Sequence, residues 1–465
     1  MGLKITIALY TIFFIFQVLY IFVPLFTVKG GRYTERLKKE KGMSILVPAF
    51  NEEHIIKNCI QSILHIDYEN YEAFIINDGS TDRTMDVLHS LLDLQTVKRE
   101  KANRLLHKKV KSVYQSKRYP KIYVIDKQNG GKADSLNTGT DYAAFENIIT
   151  LDADSVLDVN SLQVINTALE DDKVLAAGGM VHIGQAFHGD YTNPKPYFKI
   201  SNLLKFQFIQ YLANFYLYKS TQTKFNALAI ISGAFGIFKK EILFEVGGYR
   251  ITIGEDMDIT MRIQSLIKTK YKDAKVKFIP EAVCYTEGPE TLKDLFKQRI
   301  RWQKAFIDCI INYAKYLPTR FKPSLTVFLI VDALLLGSLT AFPTLIVPFI
   351  ILLTGNGAYL ALMLFSFSFS LGIFQSITSI IINNRLGHGF TATDRLRLCL
   401  FIPFEIVTYR FLGVLFNVFG TVGYFINKDS WNKVKRVGDS HQDYGNDLSE
   451  NGTVIPINRD KEKLG

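Results

Sequence analysis

At 465 residues, 48% of them hydrophobic, the chain exceeds one ordinary domain and leaves room for a soluble body plus membrane helices. Its formal charge of +11 suggests nucleic acid at first sight, yet much of the excess flanks apolar segments and no nucleic-acid motif accompanies it, which argues against a nucleic-acid partner. The four cysteines, Cys59, Cys284, Cys309 and Cys399, show neither metal-ligand spacing nor a disulfide framework, and read as reduced packing residues.

Along the chain, Ile5 to Val28 carries no charge and is long enough to cross a bilayer. It ends Phe26-Thr27-Val28, without the small residues of a cleavage site, so it reads as an uncleaved anchor within residues 1–30. Lys29, Arg32, Arg36, Lys38, Lys39 and Lys41 follow, which puts that flank in the cytoplasm and the N-terminus outside. Ser44 to Pro48 then reads as a buried parallel strand, and Asn51-Glu-Glu opens a helix with Ile55, Ile56, Cys59, Ile60 and Ile63 on one face. Further strands are expected at Ala73–Asn77, Lys121–Ile125 and Asn147–Leu151, with a helix from Ala133 to Ala144 after the Gly130-Gly131-Lys132 break. Alternating strands and helices predict an open α/β sheet, with ligands at the carboxyl ends of its strands. The basic stretch Val97–Pro120 reads as a solvated helix and loop, with a membrane-surface or polyphosphate contact as the alternative.

Several polar stations interrupt this body. Asp78, in N-D-G-S, either caps the following helix or accepts the imide proton of a uracil. Lys132, in G-G-K-A-D-S-L-N, offers a cation where phosphate could approach the backbone, although the full Walker spacing is absent. Asp152 and Asp154 follow an apolar strand, and a period-two alternation would put both carboxylates on one side of the backbone. Two such groups repel unless a cation lies between them. Mg²⁺ or Mn²⁺ shared with a diphosphate is the natural partner, stabilising charge on a leaving nucleotide. Ser232-Gly233-Ala-Phe-Gly236 is a tight turn with room for an acceptor sugar. In Gly254-Glu255-Asp256-Met-Asp258, Asp256 is a helix cap or a general base toward an attacking hydroxyl, while Asp258 supports the helix. Gln298, Arg301 and Trp302 share one helix face, where an indole offers a stacking platform for a sugar and a guanidinium offers a fork for phosphate. An interfacial amphipathic helix, residues 291–322, accounts for the same pattern, and both readings can hold.

The C-terminal third returns to apolar runs. Leu325–Leu353 carries only Asp332 and is broken by Pro343 and Pro348; Ala358–Ile382 carries no charge; Leu398–Ile426 contains Glu405 and Arg410. Lys428, Lys433, Lys435 and Arg436 argue for a cytosolic tail, 428–465, partly disordered. That requires either two short helices in Leu325–Leu353 or an interfacial stretch in Leu398–Ile426. Four or five helices are expected in all, with residues 323–427 as the C-terminal membrane region and the protein multi-pass in the cell membrane, in contact with lipid.

In chain order V-P-A-F-N-E-E, N-D-G-S-T-D, G-G-K-A-D-S-L-N-T-G, D-A-D, S-G-A-F-G, G-E-D and Q-R-I-R-W, together, resemble the family 2 inverting glycosyltransferases, specifically the processive membrane synthases of cellulose, hyaluronan, chitin and poly-β-1,6-N-acetylglucosamine. The resemblance covers residues 43–315 by motif and the rest by layout. It implies a cytoplasmic GT-A catalytic domain of α/β fold (residues 43–290), a UDP-sugar donor and a growing polysaccharide acceptor. By that resemblance Asp78 holds uridine with Glu52 nearby, Lys132 lies near the nucleotide, and Asp152 and Asp154 engage metal and diphosphate. Asp256, beside Glu255, is the base, and Gln298, Arg301 and Trp302 hold the acceptor end and diphosphate. The poly-N-acetylglucosamine branch is nearest in size, with UDP-N-acetylglucosamine as the expected donor and export of the polymer as the expected outcome. That branch commonly has two helices ahead of the catalytic domain and T-E-D where this chain has Gly254-Glu-Asp. A small accessory membrane subunit is an allowed partner. The rival readings are a transferase adding one sugar to a lipid acceptor, and an inactive transferase-like scaffold or transporter.

Overall fold

The computed structural model describes residues 2–31, 37, 39–189, 193–355, 357–387 and 390–427. Arg32, Arg36, Lys38 and the expected cytosolic tail, with Lys428, Lys433, Lys435 and Arg436, lie outside the described residues. Twelve strands form the sheets: β1 Met43–Ala49, β2 Tyr71–Asn77, β3 Leu94–Thr96, β4 Val110–Ser116, β5 Ile122–Lys127, β6 Asn147–Leu151, β7 Ser155–Leu157, β8 Val174–Ile183, β9 Phe187–His188, β10 Lys195–Pro196, β11 Phe235–Lys239 and β12 Lys275–Thr286. Ten make one mixed sheet in the order β3-β4-β5-β2-β1-β6-β11-β8-β12-β7, and β9 pairs with β10 separately. The sheet centre is parallel, β5-β2-β1-β6, and every residue of β2 and β6 is buried, as strands covered on both faces must be. Strand order reverses on either side of β1, so the crevice for a ligand opens at the carboxyl ends of β1, β2, β5 and β6. The expected α/β sheet is therefore present, with antiparallel margins added on both sides.

Three local expectations are corrected. The helix anticipated from Asn51 starts at Ile56, because Asn51 takes a left-handed backbone (φ 56°) that swings the chain out of the strand first. The basic stretch Val97–Pro120 is not a helix: it contains β4, which pairs antiparallel with β3 and β5 near the sheet edge. Its alternation was hidden by charge, since Lys111 faces outward while Val113 and Ser116 are buried, a common way of protecting an edge. Arg99, counted among the solvated charges, is instead sunk against the body. It pairs with Glu72, donates through Nε to the Tyr142 carbonyl at 3.1 Å, and covers the rings of Phe74 and Tyr123 at 4.8 and 4.3 Å.

Four helical stretches are long and apolar enough to cross a membrane: Lys4–Thr27, Pro323–Ile351, Ala358–Arg385 and Ala392–Ile426. Pro323–Ile351 is one stretch rather than two separate short helices, and its middle, Phe328–Leu339, is a wide π-helical segment. The polar groups inside these stretches pair with one another, as groups removed from water must. Tyr20 donates to Asp332 and Gln375 to Gln17. Arg410 faces Glu405 at 3.6 Å and reaches the Gly372 carbonyl at 3.3 Å. Arg385 donates to the Leu25 and Val28 carbonyls at 2.7 and 2.9 Å, fastening the end of the helix Ala358–Arg385 to the end of the first helix.

The C-terminal helix Ala392–Ile426 keeps to the body from end to end. Phe390, just before it, packs on Phe198 and Phe208; at its far end the Asn427 carbonyl accepts from Lys304 Nζ at 2.6 Å. Leu396, Leu400, Phe404, Val407 and Phe411 point away from the protein, so one face is apolar and unpartnered while the other is packed. The apolar stretches share much of the sheet's interior: Phe16, Tyr20, Phe328, Ile380, Phe390 and Leu398 belong to the same buried cluster as the sheet, while Leu325 and Leu329, and Tyr409 and Phe416, belong to two smaller clusters beside it.

Replacing Arg99 by Met leaves Glu72 buried without a counter-charge, with only Ser44 Oγ and the Ala144 N–H as donors. We expect a loss of about 3 kcal/mol of stability, read as the shift in thermal unfolding of the purified protein, and an unchanged midpoint would dismiss the role.

Candidate active site

The carboxyl end of β5 supplies the scaffold. Lys127 has no exposed surface, although it ends an apolar strand, and it lies between Asp78 (Nζ to Oδ1, 2.5 Å) and Asp134 (2.7 Å). A buried ammonium is tolerable only with such partners. Asp78 also accepts the backbone N–H groups of Gly130 at 3.0 Å and Gly131 at 2.7 Å. Gly131 has φ 87°, which only glycine adopts freely, and that backbone turns the chain into the helix Lys132–Tyr142. Asp78 does not cap the next helix, whose first residue Thr84 bonds to Asp82 instead. It shapes the loop that presents Lys132. Glu52 lies one turn past β1, nearly buried, its N–H bonded to Thr84 Oγ1 at 2.9 Å.

Lys132 is where the scattered motifs meet. Its ammonium contacts Asp152 Oδ1 at 2.5 Å and Glu255 at 3.6 Å, and donates to the Gly233 carbonyl at 3.1 Å. Burial opposes its charge, but Asp152 and Glu255 outweigh burial and hold its pKa above the ordinary lysine range. The pKa of Glu255 is raised as well: burial raises it, Lys132 lowers it and Asp256 raises it again, with a net rise. The Gly233 N–H donates to Asp256 Oδ2 at 3.2 Å, and Asp256 Oδ1 accepts from Met257 N at 2.8 Å. A small pocket is lined by Lys132, Ser232, Gly233, Glu255, Asp256 and Tyr249. Asp256 stands in the first turn of helix Glu255–Thr269, where the helix dipole favours negative charge. Asp258 is structural, as expected: it accepts from Arg262 at 2.9 Å and from the Tyr313 hydroxyl at 2.7 Å.

The D-A-D geometry differs from the expected alternation. β6 stops at Leu151, and Asp152 to Asp154 form a turn closed by Ser155 N on the Asp152 carbonyl at 3.0 Å. Asp152 faces Lys132, while Asp154 Oδ1 accepts from Ser155 Oγ and Thr286 Oγ1, each at 3.3 Å. Among the described residues no group of three His, Cys, Asp or Glu side chains could enclose a metal ion. The donor set is nonetheless hard oxygen, and Asp152 already accepts a cationic ammonium with 25% of its side chain exposed. Two carboxylates that leave the remaining positions to a ligand's phosphates suit Mg²⁺ or Mn²⁺.

Gln298, Arg301 and Trp302 lie on the helix Leu292–Tyr313, which also approaches the Glu255-Asp256 turn: the Ala305 methyl occupies the space a side chain on Gly254 would need, 2.8 Å from an ideal Cβ. Trp302 is 40% exposed, and one face of its indole is covered by the guanidinium of Arg299 at 4.1 Å. Arg301 is half-buried on the same helix, and Gln298 Oε1 is buried without a hydrogen-bond partner. Sequence reasoning missed Arg299, Lys127 and Lys219. Lys219 ends the π-helical segment Ala213–Lys219, its ammonium 4.4 Å from the Phe215 ring centroid. Burial pushes its pKa down to about 8, with Asp256 pulling the other way. Lys127 was detectable as a charge at an inward strand position; the other two depend on helix packing no local pattern reveals.

The model for glycosyl transferase family 2 matches residues 44–247, and that for glycosyl transferase family group 2 matches residues 147–377. A poly-beta-1,6-N-acetyl-D-glucosamine synthase of Staphylococcus epidermidis is 27% identical over 345 residues, 74% of this chain and 72% of that protein. The protein of the same description from Staphylococcus aureus is 29% identical over 264 residues, 56% of this chain and 54% of that protein. Among solved structures, the mannosyltransferase PcManGT from Pyrobaculum calidifontis, in complex with GDP-Man and Mn²⁺, superposes with a TM-score of 0.53 at 16% identity, covering 92% of this chain and 99% of that one. It is evidence for a shared fold alone.

Two outcomes are expected from this geometry. Gly254→Thr collides with Ala305 and displaces the Trp302 helix; turnover should drop at least about tenfold for a shift near 1 Å, and Ala305→Gly should recover it in the double variant. For Lys219, a folded pKa below the free value means the ammonium is present below about pH 8 and lost as pH rises through it. The rate per unit donor should therefore fall through a limb near pH 8 that is absent in Lys219→Met; identical pH profiles would remove Lys219 from the site.

Proposed function

This chain belongs to glycosyl transferase family 2 and transfers sugar from a sugar nucleotide, and we propose that it polymerises a β-linked exopolysaccharide from UDP-N-acetylglucosamine by an inverting, processive reaction. The observation that carries the reading is the Lys132 bridge, which brings the ends of β5 and β6, the Ser232 turn and Glu255-Asp256 into one crevice. The sugar and the polymer rest on what the staphylococcal relatives are named for.

In this reading Asp78 and Glu52 receive the uridine at the ends of β2 and β1, and Lys132 meets the diphosphate once the nucleotide displaces its carboxylate partners. A divalent ion held by Asp152 and Asp154 would supply positive charge to the departing diphosphate. Asp256 takes the proton from the acceptor hydroxyl as that oxygen attacks the anomeric carbon, and the donor's α linkage becomes β in a single displacement. Gly233 orients Asp256 through its N–H. The open indole face of Trp302 stacks the terminal sugar of the acceptor, with Gln298 Oε1 as a hydrogen-bond acceptor and Arg301 at the diphosphate side. After transfer the lengthened chain must shift by one unit, and stacking permits this because it is not directional along the ring plane.

Lys29 beside the N-terminal helix, with Lys39 and Lys41 nearby, supports a cytoplasmic position for the body. The C-terminal helix, packed along the body with an apolar outer face, fits an interfacial position better than a vertical span. The polymer leaves between the remaining helices, with bilayer lipid around them.

Purified protein with labelled UDP-sugars tests the proposal. We expect high-molecular-weight product from UDP-N-acetylglucosamine, with Asp256→Asn retaining UDP binding but losing turnover by about 10²–10⁴-fold. A one-sugar lipid product, or turnover by Asp256→Asn equal to the unaltered protein, would overturn it.

A further inference from the structure

Arg299 is only 6% exposed, yet among the described residues no carboxylate lies within ion-pair distance of it, and its Nε has no hydrogen-bond partner. An uncompensated buried guanidinium is unfavourable. What surrounds it is aromatic and comes from three separate helices. Trp302, on its own helix, presents an indole face at 4.1 Å, and Tyr211, from helix Asn202–Leu212, a ring at 5.7 Å. Tyr409, from the C-terminal helix, accepts from Arg299 Nη2 at 3.4 Å and donates its own proton to Gln210 Oε1 at 3.2 Å. Tyr409 is itself fixed, 2% exposed, stacked on Phe206 at 5.4 Å and edge-on to Phe416 at 6.5 Å.

Trp302 is the exposed member of this group. An indole on a helix surface has rotamer freedom, and a cation lying flat on one face removes that freedom while leaving the opposite face open. The guanidinium is in turn aimed by the Tyr409 hydroxyl, because its plane must satisfy both the indole and that oxygen. We propose that Arg299 is the positioning residue for the acceptor platform, and that the apolar C-terminal helix controls this platform through the Tyr409 hydroxyl. The C-terminal helix is then a working part of the acceptor site, one that a lipid-facing element can tilt. This rests on the reading of Trp302 as the acceptor platform.

The test uses full-length protein in detergent or nanodiscs. Tyr409→Phe keeps the ring and removes only the hydroxyl; Phe419→Leu disturbs packing on Phe296 from the same helix, away from Tyr409, and keeps the hydroxyl; Arg299→Lys keeps the charge and loses the fork. We expect Tyr409→Phe and Arg299→Lys to shorten the polymer roughly two- to tenfold, the span of one lost hydrogen bond, with donor KM unchanged and Phe419→Leu close to wild-type length. Wild-type length in Tyr409→Phe, or equal shortening in Phe419→Leu, overturns the proposal. The chain has two tryptophans, so a Trp431→Phe background makes Trp302 the sole indole emitter. There Tyr409→Phe should lower its fluorescence anisotropy, and an unchanged anisotropy also overturns the proposal. Trp302→Ala assayed alongside separates the failures: unaltered length in Trp302→Ala refutes the platform itself, whereas shortening in Trp302→Ala without shortening in Tyr409→Phe refutes only its control by the C-terminal helix.

Discussion

Glu255, Asp256 and Asp152 crowd one crevice, and three carboxylates so placed would drive the surrounding loops apart. Lys132 prevents this by binding two of them and a carbonyl from the third segment at once. The position of Lys132 is itself inherited. Asp78 gathers the Gly130 and Gly131 N–H groups, and Lys127 neutralises Asp78 from below. A buried ammonium under the sheet end therefore fixes a second, half-exposed ammonium above it. Removing the first would loosen the second without touching the crevice directly.

This arrangement also explains why the protein carries a cation where its substrate brings anions. Before a nucleotide arrives, the carboxylates need a counter-charge, and Lys132 supplies it. Under the proposed function, a diphosphate entering the crevice would meet that charge in place of the carboxylates. Burial makes this matter, because unbalanced charge is far more costly there than in water.

Much of this was legible in the chain. The parallel strands at Ser44, Ala73, Ile122 and Asn147 are continuous apolar runs, and the acids that follow them fall at carboxyl ends, where the topology opens. The limits of legibility are equally physical. β4 was obscured because outward lysines and a bulge at Val110–Ser112 break its alternation. The D-A-D turn defeated a period-two argument because the strand had already ended at Leu151. Arg299 was passed over because Arg301 has the better spacing to Gln298, and only the packing of three helices decides which guanidinium covers the indole. Local sequence carries strand ends well and inter-helix contacts poorly.

The shared interior of sheet and apolar helices has a consequence for biosynthesis. Ile380, Phe390 and Leu398 fill the same interior as β1 and β2, and Thr421 bonds to Gln303 beside the Trp302 platform. A nascent chain that has just released its sheet from the ribosome still lacks those plugs. Its greasy underside must stay shielded until the helices Ala358–Arg385 and Ala392–Ile426 have been made. Enzymatic competence therefore arrives late in synthesis, and a prematurely terminated product would be a ward of quality control rather than a smaller working enzyme.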